Sequence, residues 1–388
     1  MKEIYFDNSA TTPLCESAIE AMERAMRIYG NPSSLHAMGH EAQKLVDAAR
    51  DSVGSALCVR MMKPEELIFT SCGTEANNLA LFGVAYAKSR RAANKIVTTD
   101  SEHPSVEKAL QALESDGFEV VRIGTRGGVL NFDQFEKALD DKVLLVTMMM
   151  VNNETGAAYD LARVFKTVKE RCPTAVTHCD AVQGFLKLRF SPAAIGADLI
   201  SLSSHKIHGP KGVGALYVNR EILKQKKLVP HLLGGGQEFG FRSGTENVIG
   251  IAGFGAAARE TGRGLDEKLQ RIAALREYAL LKLSSLDVTL NVPLDRCAPH
   301  ILNFTLPRIK SETMVHYLSG EGIYVSGGSA CSSHSHRPSS SLLAFGLSPS
   351  DAENSIRVSL SGYNTEEEID RFVECLKNGL NVLVRVRR

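Results

Sequence analysis

The stretch Ser201-Leu-Ser-Ser-His-Lys-Ile-His-Gly-Pro-Lys-Gly-Val-Gly214 decides how this chain is read. The segment leading into it, Ala197-Asp-Leu-Ile-Ser-Leu-Ser203, alternates apolar and polar residues like a buried strand running into a loop. Lys206 therefore stands at a strand end, beside a site rather than in bulk solvent. Gly209, Pro210, Gly212 and Gly214 supply tight turns and close backbone approach before Ala215-Leu-Tyr-Val218, which reads as a strand leaving the site. A lysine so placed, with hydroxyls and an imidazole just upstream, suits a Schiff base to an aldehyde cofactor that carries a phosphate. The plain alternative is a solvated loop lysine. A phosphate-binding P-loop is excluded, because no Gly-Lys pair here is followed by Ser or Thr.

Outward from this stretch, short strands at Leu67-Ile-Phe-Thr, Lys95-Ile-Val-Thr-Thr, Glu119-Val-Val-Arg-Ile, Val143-Leu-Leu-Val-Thr-Met-Met and Ala175-Val-Thr-His-Cys-Asp alternate with helical stretches such as 105–115 and 161–170. Such alternation, with several strands apolar on both faces, predicts an α/β fold with a mostly parallel sheet covered by helices. Ligands in such sheets bind beyond the carboxyl ends of the strands. Gly73, His103, Asn153, Asp180 and Ser203 all lie at or just after such ends and can converge. Near the start, residues 16–26 carry a helical pattern after Pro13, and Gly30-Asn-Pro-Ser-Ser is a turn. His36 and His40 share i, i+4 spacing but lack a third ligand, so no metal site is expected.

After Thr245 a helical region from Asn247 is interrupted at Thr261-Gly-Arg-Gly264 and resumes to Leu283. Short strands near Val288-Thr-Leu, Ile301-Leu-Asn-Phe-Thr and Ile323-Tyr-Val then surround a helix at 311–319. This change of pattern predicts a large domain over 14–262 and a smaller α+β domain formed by 1–13 and 263–388. Within the smaller one, 326–341 is rich in Ser, Gly and His and is expected to be a mobile loop. Thr365-Glu-Glu-Glu368 reads as a capping box before the last helix.

A length of 388 residues is too long for one simple core and accommodates two domains. The net charge of +1 gives no electrostatic basis for binding nucleic acid or an anionic membrane. No apolar run approaches the about 18 residues of a membrane span, and Met-Lys-Glu-Ile-Tyr-Phe-Asp lacks a signal core, so a cytoplasmic protein is expected. The eight cysteines show no Cys-x-x-Cys pair or repeated spacing, which argues against a disulfide framework or a structural zinc site. Cys331 differs from the rest by its setting, Gly327-Gly-Ser-Ala-Cys-Ser-Ser-His-Ser-His336. An exposed cytoplasmic thiol is better explained as a nucleophile, with His334 and His336 able to lower its pKa or share a metal.

Ser203-Ser-His-Lys-Ile-His-Gly-Pro-Lys-Gly212 resembles the lysine motif of the NifS-like cysteine desulfurases, pyridoxal-phosphate (PLP) enzymes of the aminotransferase class V superfamily. The likeness runs along nearly the whole chain: Tyr5-Phe-Asp-Asn-Ser-Ala-Thr-Thr, Gly30-Asn-Pro-Ser-Ser-Leu-His, Thr70-Ser-Cys-Gly-Thr-Glu-Ala-Asn-Asn, Glu102-His, Asn152-Asn-Glu-Thr-Gly, Asp180-Ala-Val-Gln, Arg242-Ser-Gly-Thr and Ser329-Ala-Cys-Ser-Ser. Any one of these is weak; eight in family order make accident a poor explanation.

The resemblance implies that Lys206 anchors PLP, Asp180 holds its ring nitrogen, Gln183 donates to its ring oxygen and His103 stacks on the ring. From their own sequence, Asp180 could equally cap a helix and His103 be a loop residue. Gly73, Thr74, Ser203 and His205 match the family's phosphate ligands; locally, Gly73 and Thr74 could equally be an ordinary helix start. Thr245 matches a phosphate ligand from the neighbouring subunit, which implies a homodimer. Asn153 matches an asparagine near the cofactor and the substrate carboxylate, and Arg357 would fork onto that carboxylate rather than form a surface ion pair.

The activity implied is conversion of L-cysteine to L-alanine, with Lys206 moving the Cα proton and Cys331 taking the sulfur as a persulfide for an acceptor protein, an iron–sulfur scaffold among the candidates. Selenocysteine lyase is the alternative, as is a class V aminotransferase or lyase in which Cys331 is not catalytic.

Overall fold

The computed structural model describes residues 3–88, 93–293, 295–327 and 338–383. Its strands are β1 (Ile4–Tyr5), β2 (Leu67–Thr70), β3 (Lys95–Thr99), β4 (Glu119–Ile123), β5 (Val143–Met149), β6 (Val176–Asp180), β7 (Leu199–Ser203), β8 (Gly214–Val218), β9 (Thr289–Leu290), β10 (Ile301–Thr305), β11 (Ile323–Tyr324), β12 (Ser326–Gly327) and β13 (Ser355–Ser359). β2 to β8 form one seven-stranded sheet in the order β2-β8-β7-β6-β5-β3-β4, and only β8 runs against its neighbours. The mostly parallel sheet expected from the sequence is thus present.

Every residue of β5 is buried, as a strand covered on both faces requires. The two-residue period of the strands then builds two cores at once. Val97, Val146, Ile200 and Ala215 face one, with the helices Ala37–Ala56, Leu161–Arg171 and Val248–Gly262. Ile96, Leu145, Leu199 and Leu216 face the other, with the helices Gly73–Ala85 and Pro104–Ser115.

A third apolar cluster joins the chain ends: Ile4 and Phe6 pack with Leu302, Phe304, Ile356, Phe372 and Leu376. It underlies the antiparallel sheet β12-β13-β10-β9 and the parallel pair β1-β11. The helical region after Asn247 is two helices, Val248–Gly262 and Leu265–Leu283, broken at Gly264, whose φ of 60° is left-handed and costs glycine little.

Three local readings need adjustment. The first helix, Glu16–Ala25, stops one residue short of the 16–26 pattern. His36 caps the helix Ala37–Ala56 by accepting from Gly39 N–H, so it does not share a helical face with His40. At the last helix Thr365 accepts from Glu368 N–H, but the Glu368 carboxylate accepts from the Asn364 amide, leaving half of the expected capping box.

One buried ion pair ties the sheet edge to the segment preceding Thr245. Arg50 forks onto Glu238 at 2.8 and 2.9 Å and also donates to the Leu67 carbonyl, while Glu238 receives Phe69 N–H at 2.8 Å. The guanidinium lies between the Phe69 and Phe239 rings, at 4.8 and 5.0 Å from their centroids. Both charged side chains are only 3% exposed, so removing one strands the other in the interior. Arg50→Leu is expected to cost about 3–5 kcal/mol in a urea unfolding experiment, the range for a broken buried pair. A loss below about 1 kcal/mol, the level of a surface pair, contradicts this.

Candidate active site

With β8 alone reversed, the carboxyl ends of β2, β3, β5, β6 and β7 and the start of β8 meet on one side of the sheet. The loops leaving these ends enclose a cavity of about 220 Å³. Gly73, Thr74, His103, Asn153, Asp180, Gln183, Ser203, His205, Lys206 and Arg357 all line it, so ten sequence-selected residues converge. Thr245 lines a different, smaller cavity near Glu238 and Arg242. Cys331, His334 and His336 lie outside the described residues.

Asp180 ends β6, paired in register with Met149 and Ser201 in the flanking strands. Its carboxylate accepts from Asn77 Nδ2 at 2.7 Å and from Val182 N–H at 3.0 Å. The same Asn77 amide reaches Ser105 Oγ at 2.9 Å, and Ser105 Oγ lies 2.8 Å from His103 Nδ1. Ser105 N–H also donates to Nδ1, so the His103 ring presents its lone pair there and carries its proton on Nε2. Burial pushes the His103 pKa down, with Lys206 adding to the shift and Asp180 opposing it; the ring is neutral at pH 7.

Asn77 and Ser105 were not singled out by the sequence reading. The signal was available for Asn77, four residues beyond Gly73 and so on its helical face.

Lys206 Nζ donates to the carbonyls of Ser9 and Ala10 at 2.7 and 2.6 Å, which brings the N-terminal segment into the site. Arg357 reaches it from β13, its side chain 3% exposed. Its Nη1 donates to the Asn153 carbonyl at 3.0 Å, and its Nη2 pairs with Asp7 at 2.8 Å. The ion pair is real but buried, and it leaves Arg357 Nε without a partner.

At the opposite end, the helix Gly73–Ala85 starts without any side-chain cap, leaving first-turn N–H groups for an anion. Ser203 Oγ beside it is buried and unpartnered. A Cβ at Gly73 would come within 2.8 Å of Val182 Cγ2, and one at Gly214 within 2.5 Å of the Cys72 backbone, so both glycines permit this close packing. An anion cradle at one end and a fixed carboxylate at the other fit a phosphorylated pyridine whose ring nitrogen must stay protonated. Among the described residues, no three His, Cys, Asp or Glu side chains are grouped to hold a metal.

Residues 4–372 match the model of the aminotransferase class-V family. The chain belongs to the aminotransferase class-V family. Within it, the chain is similar to the cysteine desulfurase IscS of Dictyoglomus turgidum, 37% identical over 97% of this chain and 94% of that one. A cysteine desulfurase of Trichormus azollae is 38% identical over 97% of this chain and 92% of that one. Among solved structures, a NifS-like protein superposes with a TM-score of 0.91 at 36% identity, covering 98% of this chain and all of the other.

The histidines of this class-V chain make its stability depend on pH. Burial lowers His178 to about 3 and both His205 and His208 to about 4, and it lowers His103 and His300 as well. Below about pH 6.5 the unfolded chain takes up protons that these five folded histidines refuse, so acid favours unfolding. Glu102 and Glu154, raised by burial to about 8 and 7, have the opposite sign but are only two. The urea midpoint is therefore expected to fall between pH 6.5 and 4.5; a flat or rising midpoint contradicts these buried neutral rings.

Proposed function

We propose that this protein is a PLP-dependent cysteine desulfurase that converts L-cysteine to L-alanine and passes the sulfur, as a Cys331 persulfide, to an acceptor protein. The observation that carries this reading is the convergence of Lys206, Asp180 with its Asn77 support, the uncapped helix start and the buried Arg357 on one cavity, in a chain similar over nearly its whole length to cysteine desulfurases. PLP would be held by Gly73, Thr74, Ser203 and His205 at its phosphate, by Asp180, Gln183 and His103 at its ring and by Lys206 covalently. When bound, it supplies a sink for the electrons released at the substrate Cα.

The chain supplies the rest. Lys206 Nζ carries the Cα proton. Arg357, which lines the cavity, takes the substrate carboxylate with the help of Asn153. The Cys331 thiolate attacks the substrate sulfur: the carbon–sulfur bond breaks, a sulfur–sulfur bond forms, and carbon keeps the electron pair and is protonated to give alanine.

β12 sets Ser326 opposite Arg357, a residue of the cavity wall. From the end of β12 at Gly327 to Cys331, four further residues can extend at most about 14 Å. Thr245, outside this cavity, is assigned to the neighbouring subunit's phosphate, making the unit a homodimer. The separate apolar cluster joining the chain ends supports a small domain of 1–13 and 263–388 beside 14–262. With no described helix long and apolar enough to cross a membrane, a cytoplasmic enzyme is the reading adopted.

Cys331→Ala separates sulfur transfer from the other roles. The variant is expected to stay yellow and to show the spectral change on adding cysteine, while alanine formation falls at least 10²-fold with loss of the nucleophile. Alanine released at the parental rate would show that Cys331 is not the nucleophile, as in the aminotransferase or lyase alternative.

A further inference from the structure

We propose that Lys187 is a positioning residue that locks the Gln183 amide with its nitrogen toward the cavity, making Gln183 an obligate hydrogen-bond donor to the cofactor's ring oxygen. This rests on the PLP reading above and goes beyond it, by assigning a task to a lysine that the proposed chemistry leaves unused. Gln183 is buried and has two polar contacts. Its Nε2 donates to the Ser9 carbonyl at 2.9 Å, and its Oε1 accepts from Lys187 Nζ at 2.9 Å.

The Ser9 contact does not survive a flip of the amide, and the Lys187 contact does not while Lys187 is an ammonium. A carbonyl only accepts, so the Ser9 oxygen must face Nε2. As an ammonium Lys187 can only donate, so it must face the amide oxygen, as it does in the orientation seen. With the oxygen taken by Lys187 and one N–H by Ser9, the group Gln183 can still offer the cavity is its second N–H. Lys206 donates to the same Ser9 carbonyl at 2.7 Å, which fixes that acceptor in turn.

The local backbone supports a built contact. Gln183 and Lys187 stand four residues apart in the turn after β6, where Phe185 N–H bonds to Ala181 and Leu188 N–H to Gly184. Leu186, just before Lys187, holds a left-handed φ of 55°, a conformation that persists where its surroundings enforce it.

Lys187 also lines a second cavity, of about 280 Å³, on the far side of Lys206. The charged and titratable groups around it are Lys206, Arg357 and His205, with His208, His300, Lys268, Glu260 and Tyr363 on that cavity's walls. No carboxylate pairs with Lys187 among the described residues, and burial pushes its pKa far down with Lys206 and Arg357 adding to the shift. A lysine kept under these conditions is not there as a surface charge.

The test is the pH midpoint of the visible band of the bound cofactor, read without substrate. A donor to the ring oxygen favours its anionic form, so losing the donor lets the chromophore keep its proton to higher pH. Lys187→Met is expected to raise the midpoint by about one pH unit, in the range set by one hydrogen bond to a charged group. Gln183→Ala is expected to do the same, and adding Lys187→Met to Gln183→Ala to shift it no further, since the lysine acts through the glutamine. Lys187→Leu probes the same contact if Lys187→Met does not fold. A yellow Lys187 variant with the parental midpoint overturns the inference, as does a full second shift in the Gln183→Ala background, which would make Lys187 a through-space charge. A parent protein with no visible band would instead overturn the cofactor reading and this inference with it.

Discussion

The contact between Asn77 and Asp180 is the constraint on which the rest of the cavity depends. Asp180 must remain an anion at the end of a buried strand, and an isolated buried carboxylate would protonate instead. Asn77 and the Val182 amide supply the hydrogen bonds that hold it. Asn77 in turn belongs to the helix whose first turn forms the anion cradle. One helix thus fixes both ends of the site: its free first-turn N–H groups lie at the corner proposed for the cofactor's phosphate, and one turn later its asparagine steadies the carboxylate and, through Ser105, the tautomer of His103.

Charge across the cavity follows the same economy. Lys206, Arg357 and Lys187 crowd basic side chains into one small region, and the protein holds each by different means. Lys206 is held by two backbone carbonyls, Arg357 by Asp7 and the Asn153 carbonyl, and Lys187 by a glutamine oxygen. The nearby rings of His103 and His205 are kept neutral by burial, so they add no further charge. What results is a site suited to a dianionic cofactor and a carboxylate substrate, closed by two segments from outside the main sheet: the N-terminal strand with Asp7 to Ala10, and β13 with Arg357.

The sheet and its site were legible in the sequence because both follow local rules. Strands buried on two faces are written as apolar runs, and residues just after those runs share one edge of a parallel sheet; Asp180, Ser203 and Lys206 could be placed from that alone. The first helix was legible too, its 16–26 pattern overrunning the observed end at Ala25 by one residue. What sequence could not give were contacts between residues far apart along the chain. Asp7 meets Arg357 across 350 positions and Lys206 meets Ser9 across 197, and neither pairing leaves a periodic trace. Lys187 was passed over for a related reason: its neighbour Gln183 is close in sequence, but its burial is decided by the packing of the whole domain.

The most direct test of a cavity organised around Lys206 is borohydride reduction of the cofactor-loaded protein, followed by peptide mass mapping. Two half-buried lysines lie at the site, Lys206 on the cavity wall and Lys187 against Gln183, so the location of the label is informative. Reduced cofactor on the peptide carrying Lys206, with the Lys187 peptide unmodified, is the expected result. Label on Lys187, or none on either lysine in a yellow protein, contradicts the assignment of Lys206 as the anchor.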